Sequence, residues 1–411
     1  MGKRTCTVLI AGDLAPIGRP EQLLVEGDVD GTFGDVLPMI RGADCCIANL
    51  ECPLTTRSKH AAKAGPKMKA DPRVASAMKA AGVSVVSLAN NHAFDYGLDG
   101  VEETRSALDR HSIKWLGVGE NAEKAKAPLF IDLDGVRLGL VVYAEHEFNW
   151  QGDDRWCTSM LEPAENVLQI QEVAGRCDAL VVLIHGGPEN WHYPSPRIVK
   201  ICRAFARAGA SAVLVAHAHA IMGSEVHQGV PIVYGLGNFL FHSSETKPLS
   251  WRLGLVARLR VGQKGVVRIE HVPILADAET GCLRLCAAEK QSAFDEFYGT
   301  LCEPLANMAH IEEQWRLFCA AQVPHLTKEI LKGLMAMCPG AVTQRILPRG
   351  KPPHEASYYR KGASLLRGLT TCENHQDMLK EICEMMRLGR LARYRQKVRE
   401  TELVVVPSFI E

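Results

Sequence analysis

The 411-residue sequence has no long apolar run, no net charge and no CxxC cysteine pair. No stretch approaches the roughly 18 apolar residues of a membrane-spanning helix, and the run at residues 8–11 is too short for a signal peptide or anchor. The 47 basic and 47 acidic residues balance, so bulk charge gives no reason to expect a nucleic-acid partner. The 14 cysteines lack the CxxC pairs of a zinc site and predict reduced thiols. We therefore expect a cytoplasmic protein without a membrane anchor.

Short apolar runs alternate with helical segments over the first two thirds of the chain. The predicted strands are residues 7–11, 44–50, 83–88, 113–118, 138–144, 179–184 and 212–216, with an antiparallel pair at 256–260 and 266–274. Alternation of this kind predicts an α/β fold whose sheet core carries helices on both faces. Residues 150–165 are expected to form a loop or an insertion.

Strand signals nearly vanish after about residue 276, where helical segments run over residues 290–337 and 363–402. A linker is predicted between them at residues 348–353, which are rich in proline and glycine. We therefore predict two domains, an α/β domain over residues 1–275 and a helical extension over residues 276–411. The last helix is basic; a solvated face is favoured over a site for a leader peptide or nucleic acid.

Polar side chains follow the predicted strands where each strand ends, which is where α/β sheets bind ligands. Two of them, His217 and His219, lie two residues apart on a segment expected to be extended, so both could reach one site. Carboxylate, amide and imidazole groups together suit Mn²⁺, Fe or Zn²⁺ at a working centre better than a structural zinc site. The candidate metal ligands are Asp13, Glu51, Asn91, His185, His217 and His219.

A polar loop at residues 55–69 is rich in lysine and could cover this site. Lys67 and Lys69 are candidates for holding an anionic substrate. The alternative is a solvated basic loop without a binding role.

Six short motifs follow one another along the chain. They are Gly12-Asp13, Asn49-Leu50-Glu51, Ala89-Asn90-Asn91-His92 with Asp95 and Gly97, His185-x-Gly with Glu189, His217-x-His219, and Gly235-Leu236-Gly237-Asn238-Phe239. Taken in order, these motifs resemble those of CapA-type proteins of capsule and poly-γ-glutamate synthesis, which have a calcineurin-like metallophosphatase fold. The resemblance covers about residues 8–274.

The resemblance implies a centre of one or two divalent metal ions in which Glu51 is the bridging carboxylate. The other ligands would be Asn91, His185 and His217 for one ion and Asp13 and His219 for the other. His92 would match the general acid of metallophosphatases, and Asp95, three residues on, could fix its imidazole and raise its pKa. The resemblance also assigns Glu189 and Asn238 to substrate binding.

Two positions depart from the metallophosphatase pattern. Ala15 stands where a histidine is usual, so one metal site has lost a ligand, and Glu51 stands where an aspartate is usual. A single tightly held metal would free Asp13 to act as a base, which weakens the hypothesis of two-metal phosphoester hydrolysis.

Three functions are compatible with these residues. The first is a metal-dependent hydrolase of a phosphoester or a γ-linked peptide, in which the metal polarises an oxygen and His92 protonates the leaving group. The second is a metal-assisted acid/base peptide epimerase, similar to the lasso-peptide epimerases that share this fold. The third is a non-catalytic scaffold for a polymer synthase, which would need none of the metal ligands. The sequence does not identify the substrate, the metal or the oligomeric state.

Overall fold

The computed structural model describes residues 5–61, 63, 65–149, 155–242, 247–337, 369, 371–400 and 406–408. The strands are β1 (Thr5–Ala15), β2 (Cys45–Leu50), β3 (Val85–Ser87), β4 (Lys114–Leu116), β5 (Val118–Gly119), β6 (Leu129–Leu133), β7 (Val136–Ala144), β8 (Cys157–Thr158), β9 (Ala179–His185), β10 (Ala212–Ala216), β11 (Ile221–His227), β12 (Val230–Leu236), β13 (Asn238–Phe241), β14 (Leu253–Gly262), β15 (Gly265–Ala276) and β16 (Leu283–Leu285).

The α-helices are α1 (Arg19–Glu26), α2 (Val29–Phe33), α3 (Leu37–Arg41), α4 (Val74–Ala81), α5 (Gly97–Arg110), α6 (Ala122–Ala125), α7 (Pro163–Ala174), α8 (Pro196–Ala208), α9 (Leu249–Arg252), α10 (Gln291–Cys302), α11 (Met308–Met337), α12 (Glu373–Arg387) and α13 (Leu391–Glu400). Short 3-10 helices lie at Gly34–Val36, Ala288–Lys290 and Glu303–Ala306.

Two sheets form the core. The first has the order β16-β15-β14-β1-β2-β3-β4, with β13 pairing beside β1, and the second has the order β11-β12-β10-β9-β7-β6. Within the first sheet β1, β2, β3 and β4 are parallel, and within the second β7, β9, β10 and β12 are parallel. The carboxyl ends of several parallel strands in each sheet are therefore available to build one site.

The two sheets pack face to face, with helices on their outer faces. Alternate residues of β1 show this arrangement: Val8 and Ile10 join the apolar cluster between the sheets, whereas Leu9 and Ala11 join the cluster beneath α1 to α5. A third cluster packs α7 and α8 against the second sheet. The predicted α/β fold, with a layered sheet core and helices on both faces, is confirmed.

The structure corrects several predicted elements. β6 and β11 were not predicted, and both are antiparallel partners at the edges of the second sheet. β1 continues to Ala15, because it pairs with β13 and β2 beyond residue 11, so Asp13 lies within a strand and not in a loop after it. Residues 150–165 include β8 and the start of α7 in their described part.

The C-terminal region is mainly helical, as predicted. α11, α12 and α13 share an apolar cluster that includes Trp315, Phe318 and Met378. β16 still pairs with β15, and Phe294 of α10 packs into the cluster between the sheets. The predicted domain boundary at residue 275 stays a prediction, and the predicted linker at residues 348–353 lies outside the described residues. Among the helices of the described part, none combines the length and apolar composition needed to cross a bilayer.

Candidate metal centre

Polar side chains from both sheets meet at one edge of the molecule. Asp13 lies near the end of β1, Glu51 directly follows β2, and His185 is the last residue of β9. His217 follows β10 by one residue. These side chains are 0–5% exposed, so parallel strands from two sheets deliver titratable groups into a buried space. Four of the predicted ligands are thereby brought together.

Gly12 allows β1 to approach the turn at Gly237 closely enough to place Asp13. A Cβ atom on Gly12 would lie 1.9 Å from the carbonyl oxygen of Gly237, and the backbone N–H of Asp13 donates a hydrogen bond of 3.2 Å to that oxygen. A side chain at position 12 would therefore push the strand out of place.

The candidate ligand atoms form two overlapping groups that share Glu51. Within each group the ligand atoms lie within 4.8 Å of one another. The first group is Glu51, His185 and His217, and the second is Asp13, Glu51 and His219. The amide oxygen Oδ1 of Asn91 joins the first group, 3.1 Å from Nε2 of His185. This grouping matches the two predicted sets, although the role of each residue as a ligand stays a prediction.

The carboxylate of Glu51 decides whether the residues fit a metal ion. Both of its oxygens are buried and accept no hydrogen bond from the residues that the structure describes. Burial and the neighbouring Asp13 carboxylate raise the pKa of Glu51 well above its ordinary value. A buried carboxylate is costly without a partner, and Oε1 lies 3.6 Å from Nε2 of His185 and 3.8 Å from Nε2 of His219. Oxygen and imidazole donors in this arrangement fit a divalent ion such as Mn²⁺, Fe²⁺ or Zn²⁺.

The charge of the histidines follows from their neighbours. Burial, followed by the charges of His217 and His219, holds the pKa of His185 well below its ordinary value. Burial also opposes protonation of His219, but the carboxylates of Glu51 and Asp13 outweigh it and raise the pKa of His219 to about 10. Without a metal ion, the two carboxylates therefore favour protonation of His219, whereas burial disfavours protonation of His185.

Side chains behind the candidate ligands hold them in place. Nδ2 of Asn49 donates to Oδ1 of Asp13 at 2.8 Å and lies 3.0 Å from Nδ1 of His185. The other carboxylate oxygen of Asp13 accepts the backbone N–H of His217 at 3.0 Å. Because both oxygens of Asp13 are engaged, its geometry suits a fixed ligand better than the free base that the sequence allowed.

The backbone at His217 and His219 has a different geometry from the one predicted. Their φ angles are 95° and 51°, so the segment is left-handed and not extended. Such backbone is strained for a residue with a side chain, and strain of this kind concentrates at functional sites. The two imidazoles lie in separate ligand groups that share Glu51, and their place at one metal site stays a prediction. The predicted extended geometry was wrong.

His92 and Asp95 form the predicted pair, and a lysine that was not predicted completes it. Nδ1 of His92 lies 2.7 Å from Oδ2 of Asp95, and Nζ of Lys63 donates to Oδ1 of Asp95 at 2.7 Å. Burial and the charge of Lys63 outweigh the carboxylate and lower the pKa of His92. The expected rise in the pKa was therefore wrong. Lys63 lies in the lysine-rich loop that the sequence predicts, but only Lys67 and Lys69 of this loop were predicted to hold a substrate.

Lys67 and Lys69 make contacts within their own part of the fold. Nζ of Lys67 lies 3.5 Å from the carbonyl oxygen of Gly65. Nζ of Lys69 donates to the carbonyl oxygen of Arg57 at 2.6 Å and lies 5.0 Å from the centre of the Tyr96 ring. Among the residues that the structure describes, these contacts do not join the two lysines to the candidate ligands, and their substrate-binding role stays a prediction.

The other two predicted substrate-binding residues lie beside the histidines. Oε1 of Glu189 is 3.6 Å from Nε2 of His217, and this half-exposed carboxylate forms a third group with His217 and Glu147. Asn238 is buried; its amide lies 2.9 Å from Nδ1 of His219 and donates to the carbonyl oxygen of Trp251. Asn238 therefore orients His219, and its role toward a substrate stays a prediction. Sequence reasoning missed Glu147.

Residues 7–243 match the model of a protein family described as "Bacterial capsule synthesis protein PGA_cap". The chain belongs to this family. The resemblance drawn from the motifs is thereby confirmed, and the PGA_cap match contains every candidate ligand named above.

Two relatives of this chain come from Bacillus species. The chain is 28% identical over 250 residues to "Capsule biosynthesis protein CapA" of Bacillus anthracis, covering 59% of this chain and 61% of that one. It is 26% identical over 269 residues to "PGA biosynthesis protein CapA" of Bacillus subtilis (strain 168), covering 64% and 70%. The match thus spans about three fifths of the length of the Bacillus anthracis relative. Among solved structures, a 5'-nucleotidase precursor from Thermus thermophilus gives a TM-score of 0.38 at 13% identity, covering 66% of this chain and 54% of that one.

Proposed function

We propose that this PGA_cap protein is a metal-dependent hydrolase that acts on a phosphoester or a γ-linked peptide in capsule or poly-γ-glutamate metabolism. One observation carries the proposal. The two carboxylate oxygens of Glu51 are buried beside the imidazoles of His185 and His219, and within the described part of the chain they accept no hydrogen bond. A buried charge without a partner costs on the order of several kcal/mol of folding free energy. A non-catalytic scaffold would bear this cost without any benefit to its function.

The chain's residues divide the proposed work between holding the ion and moving a proton. The ion would be held by Glu51, His185, His217 and the amide oxygen of Asn91, with Asp13 and His219 available to a second ion. A divalent ion at this place supplies positive charge that polarises the bond under attack. His92 would give a proton to the leaving group, while Asp95 holds Nδ1 of the ring and Lys63 in turn holds Asp95.

The test uses the purified full chain, its metal content and two substrates. We expect bound Mn, Fe or Zn, and metal-dependent cleavage of a chromogenic phosphodiester or a γ-glutamyl peptide. Glu51→Gln should remove both the metal and the cleavage, whereas Glu172→Gln, on the exposed face of α7, should change neither. A metal-loaded wild type that cleaves neither substrate would overturn the hydrolase proposal.

The same preparation separates the other two predicted functions. Exchange of an α-proton of a peptide in heavy water, without cleavage, would support the epimerase. Absence of bound metal together with no effect of His92→Ala would support the scaffold. The cytoplasmic location stays a prediction.

A further inference from the structure

α12 lies outside the region of the family match, yet its first residue contacts the loop that follows β7. One carboxylate oxygen of Glu373 is 2.5 Å from Nδ1 of His146, and the other accepts the backbone N–H of His146 at 3.0 Å. Burial opposes ionisation of Glu373, but its hydrogen bonds with His146 prevail and lower its pKa. An ionised carboxylate therefore fixes both the side chain and the backbone of His146.

Glu147, the residue after His146, sets the orientation of the candidate metal ligand Asn91. Oε2 of Glu147 accepts a hydrogen bond of 2.9 Å from Nδ2 of Asn91. The opposite end of that amide, Oδ1, then points toward Nε2 of His185 at 3.1 Å. An amide turned by half a rotation would present its N–H₂ group to the site, which cannot bind a cation.

A second connection from α12 reaches the loop after β9. Oδ2 of Asp377 accepts a hydrogen bond of 2.7 Å from Nε of Arg197, and the same guanidinium pairs with Glu145. Oε2 of Glu145 accepts the backbone N–H of Gly187 at 3.0 Å, two residues after His185. α12 is thus connected through hydrogen bonds to the loops that follow β7 and β9.

We propose that Glu373 is a positioning residue of the metal centre, which acts through His146 and Glu147 on the orientation of Asn91. Partners in the layer behind metal ligands commonly change metal affinity 10- to 100-fold. Because coupling between two binding events is reciprocal, metal binding and the docking of α12 should favour each other by the same factor. The inference rests on the metal centre of the proposed function, and it assigns a role to a part of the chain that the family match does not include.

The first test is calorimetric titration of the full chain with Mn²⁺. Glu373→Gln should bind Mn²⁺ about tenfold more weakly than the wild type. Glu381→Gln is the matched control, because Glu381 lies on the same helix but pairs with Arg316 of α11, at 3.3 Å. The control should bind within about twofold of the wild type. Equal affinity of Glu373→Gln and the wild type would overturn the inference and leave the proposed function standing.

A second measurement needs no substitution and therefore does not depend on the folding of a variant. In the wild type, addition of Mn²⁺ should slow hydrogen exchange of the α12 amides by up to about tenfold. Unchanged exchange at saturating Mn²⁺ would show that the helix and the metal are not coupled. A wild type that binds no divalent metal would refute the metal centre itself, and the inference with it.

Discussion

Lys63 donates a hydrogen bond of 2.7 Å to Asp95, and both side chains are buried. The same ammonium group donates to the backbone carbonyl of Asn91 at 2.9 Å and lies 3.1 Å from Nδ1 of His92. One cation from the lysine-rich loop therefore joins the proposed proton donor, its carboxylate partner and the backbone of a proposed metal ligand.

Replacing this cation should destabilise the protein. Lys63→Met leaves the Asp95 carboxylate buried without its charge partner, which typically costs about 3–5 kcal/mol of folding free energy. Urea unfolding measures the loss. Lys67→Met, in the same loop but partly exposed, should cost less than about 0.5 kcal/mol. Equal unfolding midpoints for the two variants would show that the buried pair contributes no stability.

Removing the Glu51 charge should abolish stabilisation by metal. In the wild type, free metal at about 100 times its dissociation constant should add about 2.7 kcal/mol of stability. Glu51→Gln should show no such gain, since the buried oxygens of Glu51 belong to both candidate ligand groups. Thermal melting with Mn²⁺ and with a chelator measures the effect. The metal-free variant should melt no lower than the metal-free wild type, because it buries no unpaired carboxylate.

Loss of His92 should reduce the rate of the reaction much more than it reduces the affinity for the metal ion. A positioned general acid typically contributes about 10²- to 10⁴-fold to a rate, so His92→Gln should reduce kcat by that order. Its Mn²⁺ affinity should stay close to that of the wild type, because His92 belongs to neither ligand group that contains Glu51. Steady-state kinetics on the cleaved substrate measure kcat, and titration with Mn²⁺ measures the metal affinity. A parallel loss of metal would instead place His92 among the ligands.

A carboxylate distant from the metal centre should make stability depend on pH. Burial opposes ionisation of Glu225, but hydrogen bonds from Arg203 at 2.7 Å and Tyr234 at 2.5 Å prevail and lower its pKa. A lowered folded-state pKa gives stability that is present above the unfolded value of about 4.3 and is lost as the pH falls through the folded-state value.

The matching variant is Glu225→Gln, whose melting temperature should lie below that of the wild type at pH 7. The difference should shrink as the pH is lowered below about 4.3. Glu172→Gln, an exposed carboxylate in an ion pair on α7, should show little difference at either pH. If the melting temperature of Glu225→Gln stays below that of the wild type by the same amount down to about pH 3, below the unfolded-state pKa, the effect is due to packing and not to charge.

The candidate ligands could be found from the sequence because each is fixed by its place along a strand. An apolar run that ends in Glu51, His185 or His217 identifies a buried strand and the polar group after it. The parallel arrangement then brings such strand ends to one edge. The same local patterns predicted the layered α/β core and the helical C-terminal region, since periodicity and strand length are properties of short segments.

The edge strands and the extension of β1 could not be found in this way. β6 and β11 are strands because β7 and β12 offer them antiparallel partners, and β1 runs on through Asp13 because β13 lies beside it. Propensity for a strand depends on neighbours that are distant in sequence.

The sequence by itself determined the family, the layered architecture and the chemical types of the groups at the strand ends. Only the tertiary structure decided that Lys63 and Glu147 belong beside them, that the pKa of His92 falls, and that Glu373 reaches the same edge. The physical reason is that burial and hydrogen bonding depend on distances between side chains, and segments far apart in the chain set those distances only when the chain has folded.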